Sequence, residues 1–256
     1  MPSRRLKLSG LILILCGVLT AGQDGPQTGA LEVVGRVKID NKQEKLSRKR
    51  FYILPGGLKE NRALLDRIKT AEITSRDCYY AKAQASPELV CWLQAENCES
   101  PYCRRIEQPD VEKVPEFKTA YQKGLTQFAR KPDLARLWLT TNLSPIFANG
   151  YYKEQQTLLK KTLGDARPVQ STMTDSTTVK AIFIDLPLAG AKGKFTISNI
   201  LPIEIGGKSY VWSCEMDVTA EKRAIVKLPD AGKTVKNCEV VIKDLAVCKS
   251  AACTQK

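Results

Sequence analysis

The sequence predicts an α+β protein in which a split antiparallel β-sandwich carries an inserted, disulfide-stapled helical subdomain. Strand patterns occur near both ends of the chain, and helical patterns fill the middle. Eight of the nine cysteines lie in two groups on either side of the Cys-free residues 104–213, and the ninth is Cys16. An isolated β-hairpin is only marginally stable in water. We therefore expect residues 31–54 and 176–256 to form one β-sandwich domain, with residues 58–165 as the helical insertion.

The first residues have the pattern of a secretory signal peptide. Arg4, Arg5 and Lys7 precede the apolar run Leu11–Leu19, and the small residues of Thr20–Gly22 follow it. The apolar run is shorter than the roughly 20 residues that a transmembrane helix needs. We predict that residues 1–22 direct export and are removed. An uncleaved membrane anchor is the alternative.

The N-terminal strands are predicted from alternation of apolar and polar residues. Apolar or small residues recur at every second position from Leu31 to Ile39, and the aromatic and aliphatic run Phe51–Leu54 follows. This run stops at Pro55-Gly56-Gly57, a turn signal.

The middle of the chain has the spacing of amphipathic helices. Phe117, Tyr121, Leu125 and Phe128 recur at intervals of three or four residues. Similar patterns predict further helices over 58–69, Asp133–Leu139 and Tyr151–Leu163.

From about residue 178 the pattern returns to strands separated by turn-rich segments, which is typical of a small sandwich. The predicted strands are Val179–Leu186, Lys194–Ile205, Ser209–Val218, Ala224–Leu228 and Asn237–Leu245.

An even number of cysteines in an exported chain predicts a disulfide framework. The cysteines left after removal of residues 1–22 are Cys78, Cys91, Cys98, Cys103, Cys214, Cys238, Cys248 and Cys253. The chain has no C-x-x-C pair and no histidine, which argues against a metal site and against thiol–disulfide catalysis.

Strand alternation places Cys214 and Cys238 on core-facing positions, so we predict that they are bonded, and that Cys248 and Cys253 close the C-terminal tail. Ser86-Pro87 signals a helix start. An unbroken helix from Cys91 to Cys98 would separate them by about 10 Å, beyond disulfide reach. Pairing of Cys78 with Cys91 and of Cys98 with Cys103 is favoured, but the sequence does not fix it.

Two β segments resemble the transthyretin-like, carboxypeptidase-regulatory-like sandwich. Leu31–Ile39 is similar to its opening strand, and Gly193–Ile203 followed by Tyr210-Val211-Trp212 is similar to its later strands. Ile203–Gly207 departs from the family's short Pro-Gly turn, and the insertion has no counterpart in the simple module. The resemblance implies an accessory or binding domain and supplies neither catalytic residues nor a cofactor.

The amino-acid composition excludes most familiar kinds of catalytic site. The 256 residues include 40 Lys plus Arg, 27 Asp plus Glu and no His, a formal charge of +13. A chain without histidine lacks Ser-His-Asp and Cys-His sets and imidazole metal ligands. The basic balance favours an anionic partner.

Two groups of residues are candidate binding sites. The first is a basic run that contains Lys42, Lys45, Arg48, Lys49 and Arg50, which could bind an anion or could simply form a solvated, charged hairpin. The second gathers aromatic and arginine side chains, which could stack on a ligand or could form the core of a small stapled subdomain. Its members are Tyr79, Trp92, Tyr102, Arg104 and Arg105.

Catalysis by this chain would have to use carboxylates, hydroxyls, Lys or Tyr. Glu88, Glu96, Glu99 and Glu116 lie in or near the cysteine-rich segment, and two carboxylates suffice for glycoside hydrolysis. Exposed helix charges explain them equally well. We therefore expect a secreted or periplasmic, non-catalytic binding module with no cofactor, whose partner could be an anionic glycan, an envelope component or a protein. The alternative is a carboxylate-dependent hydrolase acting on a glycan.

Overall fold

The computed structural model describes residues 27–96, 98–233, 235–246, 248 and 253. The predicted signal peptide, residues 1–22, lies outside them. Within the described part, no helix is both long enough and apolar enough to cross a membrane.

The described chain contains strands at both ends and helices between them. The strands are β1 Thr28–Val34, β2 Arg36–Ile39, β3 Lys42–Lys45, β4 Arg50–Pro55, β5 Gln170–Met173, β6 Lys180–Pro187, β7 Lys192–Ser198, β8 Ile203–Ile205, β9 Lys208–Thr219, β10 Ala224–Lys227 and β11 Cys238–Asp244. The helices are α1 Arg62–Thr70, α2 Arg76–Lys82, α3 Pro87–Ala95, α4 Gln108–Lys113, α5 Pro115–Gln127, α6 Pro132–Leu137, α7 Leu139–Asn142 and α8 Tyr151–Leu163, with a π-helix at Ile146–Gly150 before α8.

Strands from the two ends of the chain form two facing sheets, which confirms the split sandwich. One sheet has the order β10-β1-β6, and the larger has the order β11-β9-β7-β4-β5 with β8 paired to β9. All pairs in these sheets are antiparallel except β1 with β10, which is parallel. Since β1 and β10 lie far apart in the chain, no hairpin turn forces them to be antiparallel. Strand β5 begins before residue 176, where the β-domain was predicted to resume.

Two predicted strands are interrupted. The strand predicted over residues 31–39 divides at Gly35, where a Cβ atom would lie 3.2 Å from the Val179 carbonyl oxygen. Its second half, β2, pairs with β3 in a separate hairpin. The strand predicted over 194–205 divides between β7 and β8, where Ile200 has a left-handed backbone (φ 50°).

Apolar side chains from both sheets fill the space between them. Leu31 and Phe183 of the small sheet pack in the same core as Phe51, Ile197 and Trp212 of the large sheet. Burial of large aromatic rings is a major source of stability in such cores.

Helices cover the other face of the large sheet. Tyr52 and Val211 of the sheet pack with Leu65 and Ile68 of α1 and Leu159 of α8. The molecule therefore has three layers, with the helices on one side of the large sheet and the small sheet on the other.

The remaining helices form their own core, centred on Phe117 and Leu93. The predicted helix start at Ser86 is confirmed, because its Oγ accepts a hydrogen bond from the N–H of Leu89 at 3.1 Å. This helix, α3, ends at Ala95, so Cys98 lies beyond it.

Two of the four predicted disulfide pairings are confirmed. Cys214 and Cys238 face each other in the β9–β11 ladder and are bonded. Cys98 is bonded to Cys103 across a short loop.

The other two pairings, Cys78 with Cys91 and Cys248 with Cys253, are wrong. Cys78 is bonded to Cys248 and Cys91 to Cys253. The reason lies in the course of the chain at the end of β11, where Lys243 donates from Nζ to the carbonyl oxygen of Ala71 at 2.6 Å and Ala246, just beyond the strand, lies against Cys78. The C-terminal tail therefore leaves the sheet on its helical side, and two bonds join the first group of cysteines to the second. Four disulfides favour an oxidising, extracytoplasmic compartment.

Candidate functional site

The basic run divides between two places in the fold. Lys42 and Lys45 lie exposed on the β2–β3 hairpin. Arg48, Lys49 and Arg50 lie where the chain turns into β4, and Arg48 has a left-handed backbone (φ 56°) at this turn.

Arg48, Lys49 and Arg50 line a cavity of about 550 Å³ between the large sheet and the helices, which we name the junction cavity. Its sheet wall comes from β4 and β5, and its helical wall comes from α8. The first residue of α2, the segment after α3 and residues 199–204 close its other sides. Its volume lies in the range of ordinary small-molecule sites.

Two arginines of the cavity have no carboxylate partner among the residues that the structure describes. Arg48 donates from its guanidinium to the carbonyl oxygen of Cys103 at 2.7 Å. Arg50 donates to the Oγ of Ser171 at 3.1 Å. Both partners are neutral, so the positive charges of Arg48 and Arg50 remain available to a ligand.

The other two basic side chains of the cavity are paired. Lys49 Nζ lies 2.6 Å from Glu99 Oε1. Arg76 Nε lies 2.8 Å from Asp77 Oδ1. The cavity wall thus carries four basic side chains against the two carboxylates Glu99 and Glu204.

Glu204 is a half-buried acid that joins β8 to the helices. Its Oε1 accepts hydrogen bonds from the Tyr151 hydroxyl at 2.7 Å and from the backbone N–H of Arg76 at 2.9 Å. Burial raises the pKa of Glu204, although these two hydrogen bonds oppose the shift. Burial and the neighbouring charge of Glu204 raise the pKa of Tyr151 well above its usual range. Tyr151 therefore stays a hydrogen-bond donor near neutral pH.

The predicted aromatic–arginine group does not line this cavity. Trp92 is buried, packs edge-to-face on Phe117 and donates from Nε1 to Asp110 at 2.9 Å. Arg104 lies over the Trp92 ring and also pairs with Asp110 and Glu96. The Arg104 charge is therefore balanced by carboxylates within the helical subdomain.

The remaining members of that group also lie outside the cavity wall. Tyr79 packs on Tyr80 and donates to the carbonyl oxygen of Ile146 at 3.0 Å. Tyr102 and Arg105 are exposed. The structure therefore does not bring the basic run and the aromatic group together in one cavity.

The four carboxylates considered for catalysis are dispersed. Glu88 is exposed, Glu96 pairs with Arg104, and Glu116 accepts hydrogen bonds from the backbone and hydroxyl of Ser86. Of the four, only Glu99 lines the junction cavity. Within the described residues, no cluster of three or more His, Cys, Asp or Glu side chains could hold a metal ion.

Sequence reasoning missed Arg76, Tyr151, Gln155 and Glu204, because they come from separate elements and match no motif. One signal was present for α8. Tyr151 and Gln155 are four residues apart, as are Tyr152 and Gln156, so these uncharged polar residues share one side of a helix. Its last turn carries Lys160 and Lys161.

Comparisons of this chain with protein-family models, with curated proteins and with solved structures find no match. The geometry of the cavity is therefore the basis for a functional argument.

Proposed function

We propose that the chain is an extracytoplasmic binding protein that holds an anionic ligand in the junction cavity. The observation that carries the proposal is the pair of guanidinium groups, Arg48 and Arg50, that line the cavity without a carboxylate partner in the described structure. Guanidinium groups form strong, directional hydrogen bonds to carboxylate and phosphate. Both arginines are exposed, so a ligand can reach them from solvent.

The proposal also includes export of the chain and membership of its β-sandwich in the transthyretin-like family. Residues 1–22 would direct export, which fits the four disulfides of the folded chain. The resemblance of β1 and β7 to transthyretin-like strands supports an accessory or binding role for the sandwich.

The test compares two double variants that remove the same charge from different places. Arg48→Gln with Arg50→Gln alters the cavity, and Lys42→Gln with Lys45→Gln alters only the exposed hairpin of the same basic run. Binding of glucuronate, glucose 1-phosphate, cyclohexanecarboxylate and inorganic phosphate is measured by calorimetry at low and at physiological salt. We expect the cavity variant to lose at least about tenfold in affinity, because charge-assisted hydrogen bonds each contribute about 1.5–3 kcal/mol.

The hairpin variant should change the affinity by no more than about threefold, since its charges act through solvent. Equal losses in the two variants would assign binding to the general basic charge and contradict the proposal. So would absence of binding by all four anions at low salt.

A second candidate function is glycan hydrolysis, and a specific observation favours it. Glu99 and Glu204 line the same cavity, and the pKa of Glu204 is raised, as the acid of a glycosidase requires.

The test of this candidate is hydrolysis of an acidic polysaccharide. A rate that falls at least about a hundredfold in both Glu99→Gln and Glu204→Gln would support it. Glu96→Gln is the control, because Glu96 lies outside the cavity wall. Absence of turnover by the unmodified protein over a broad glycan panel would contradict hydrolysis.

A further inference from the structure

The junction cavity contains two buried polar side chains that have no protein partner. Tyr52 is 6% exposed and Gln155 is 9% exposed, and both line the cavity. Among the residues that the structure describes, the Tyr52 hydroxyl and the Gln155 side-chain amide make no hydrogen bond. Neither polar group is among the side-chain atoms that are fully buried without a partner, so both are accessible from the cavity. A ligand that covered them without pairing them would lose affinity.

A third buried polar residue of the cavity, in contrast to these two, is fully hydrogen-bonded to the protein. Asn199 is 1% exposed. Its Nδ2 donates to the carbonyl oxygens of Leu201 and Tyr210, and its Oδ1 accepts from the N–H of Trp212. The Asn199 side chain therefore supports the turn between β7 and β8. The Tyr52 hydroxyl and the Gln155 amide have no such structural role and remain available to a ligand.

The two unpaired groups lie on opposite walls of the cavity. Tyr52 is two residues after Arg50 on β4, so both side chains lie on the same face of the strand. Gln155 lies one turn after Tyr151 on α8, and Tyr152 and Gln156, also without side-chain hydrogen bonds in the described structure, line the cavity beside them. A ligand between the walls would meet arginine charges together with several neutral donors and acceptors.

These groups discriminate between classes of anion. Inorganic phosphate could bind the arginines, but it would leave most of a cavity of about 550 Å³ unfilled and would gain nothing from Tyr52 and Gln155. An acyl-chain anion would bury the same hydroxyl and amide against methylene groups, which carries the full cost of unpaired polar groups. A sugar hydroxyl both donates and accepts, as the tyrosine hydroxyl and the glutamine amide do.

We propose that the ligand is a sugar that carries an anionic group, either a uronic acid or a sugar phosphate. Its charged group binds Arg48 and Arg50, and its hydroxyls bind Tyr52 and Gln155. The proposal rests on the proposed function, because it assigns a ligand class to the same cavity.

The first test compares sugar anions with anions of matched charge that lack hydroxyls. Glucuronate, galacturonate and mannuronate are compared with cyclohexanecarboxylate, and glucose 1-phosphate is compared with inorganic phosphate. We expect at least one sugar anion to bind about tenfold or more tightly than its matched anion, because the site penalises a ligand that leaves its polar groups unpaired. The two arms distinguish a carboxylate sugar from a phosphate sugar.

The second test removes the unpaired groups with little change in volume. Tyr52→Phe and Gln155→Met should each weaken binding of the sugar anion by about 5- to 20-fold and leave binding of cyclohexanecarboxylate unchanged. Tyr102→Phe, at an exposed tyrosine outside the cavity wall, is the control. Tyr52→Phe should not lower the thermal unfolding midpoint, because the hydroxyl that it removes makes no hydrogen bond in the folded chain.

The outcomes separate the two proposals. If cyclohexanecarboxylate binds as tightly as every uronate and phosphate as tightly as the sugar phosphate, the ligand class is wrong while anion binding stands. If Tyr52→Phe and Gln155→Met both leave sugar affinity unchanged, the ligand class is also wrong. If no anion binds in any arm, both proposals fail.

Discussion

At the scale of single residues, Glu204 shows how tertiary position changes the chemistry of an ordinary side chain. In the sequence it lies between two isoleucines at a turn and carries no motif. In the structure it lies against Tyr151 and Arg76, and burial raises its pKa above the ordinary value of 4.5. A raised pKa means that the folded state disfavours the charged carboxylate.

This shift predicts a dependence of stability on pH. Between the unfolded pKa of Glu204 and its raised folded pKa, the folded state binds more protons than the unfolded state. The contribution of Glu204 to the free energy of unfolding is therefore largest below the unfolded pKa and falls as pH rises through the folded pKa. Glu204→Gln removes this titration. The amide oxygen of the new glutamine can still accept the hydrogen bonds from the Tyr151 hydroxyl and the Arg76 backbone N–H. Urea unfolding between pH 4 and 7 should show the unmodified protein losing stability relative to Glu204→Gln as pH rises. Parallel stability profiles would contradict the assigned shift.

The prediction that the basic run contributes to a binding site agrees in part with the cavity lining. Three members of the basic run line the cavity, whereas Lys42 and Lys45 do not. The sequence could not show that Arg104 pairs with Glu96 and Asp110, because composition reveals a charge but not its partner. It also could not reveal unpaired groups such as Tyr52 and Gln155, which are defined only by what surrounds them.

At the scale of elements, the sequence predicted most helices and strands. Helix α8 has the predicted bounds, and β9, β10 and β11 differ from prediction by at most one residue at each end. Local periodicity is sufficient here because each element buries one continuous face. The sequence did not predict α2, α4 or β5, and the helix predicted over Asp133–Leu139 divides into α6 and α7. Two predicted strands are interrupted at Gly35 and at Asn199–Pro202, where long-range contacts break an apolar pattern. Close approach of Val179 at Gly35 and hydrogen bonds from Asn199 are tertiary features.

At the scale of the whole molecule, two disulfides join the C-terminal tail to the helices. Cys78–Cys248 and Cys91–Cys253 span 170 and 162 residues. The first group of cysteines is thus bonded to the end of the chain and not only within itself. These two bonds tie α2 and α3 to the chain segment that follows β11.

The two long-range disulfides should stabilise the fold non-additively. With one bond intact, the other closes only a loop of about 18 residues, so replacing either pair by alanine should cost about 3 kcal/mol. Replacing both pairs also loses closure of the long loop and should cost about 8 kcal/mol, more than the two single losses together. Replacement of Cys98 and Cys103, which are 5 residues apart, should cost about 2 kcal/mol.

Urea unfolding without reductant measures these free energies. Losses that simply add between the two long-range pairs would show that the bonds close independent loops, contrary to the structure. The Cys98–Cys103 variant is the control for removing a bond that does not connect the layers.

The sequence by itself determined the absence of histidine chemistry, the disulfide framework, the basic balance and the order of strands and helices. These properties depend on composition or on patterns within a few residues. Only the tertiary structure decided which cysteines pair across the molecule and that Arg48, Arg50, Tyr52, Gln155 and Glu204 surround one cavity. The physical reason is that these groups come from strands and helices up to about 150 residues apart, and packing of the helices on the sheet brings them together.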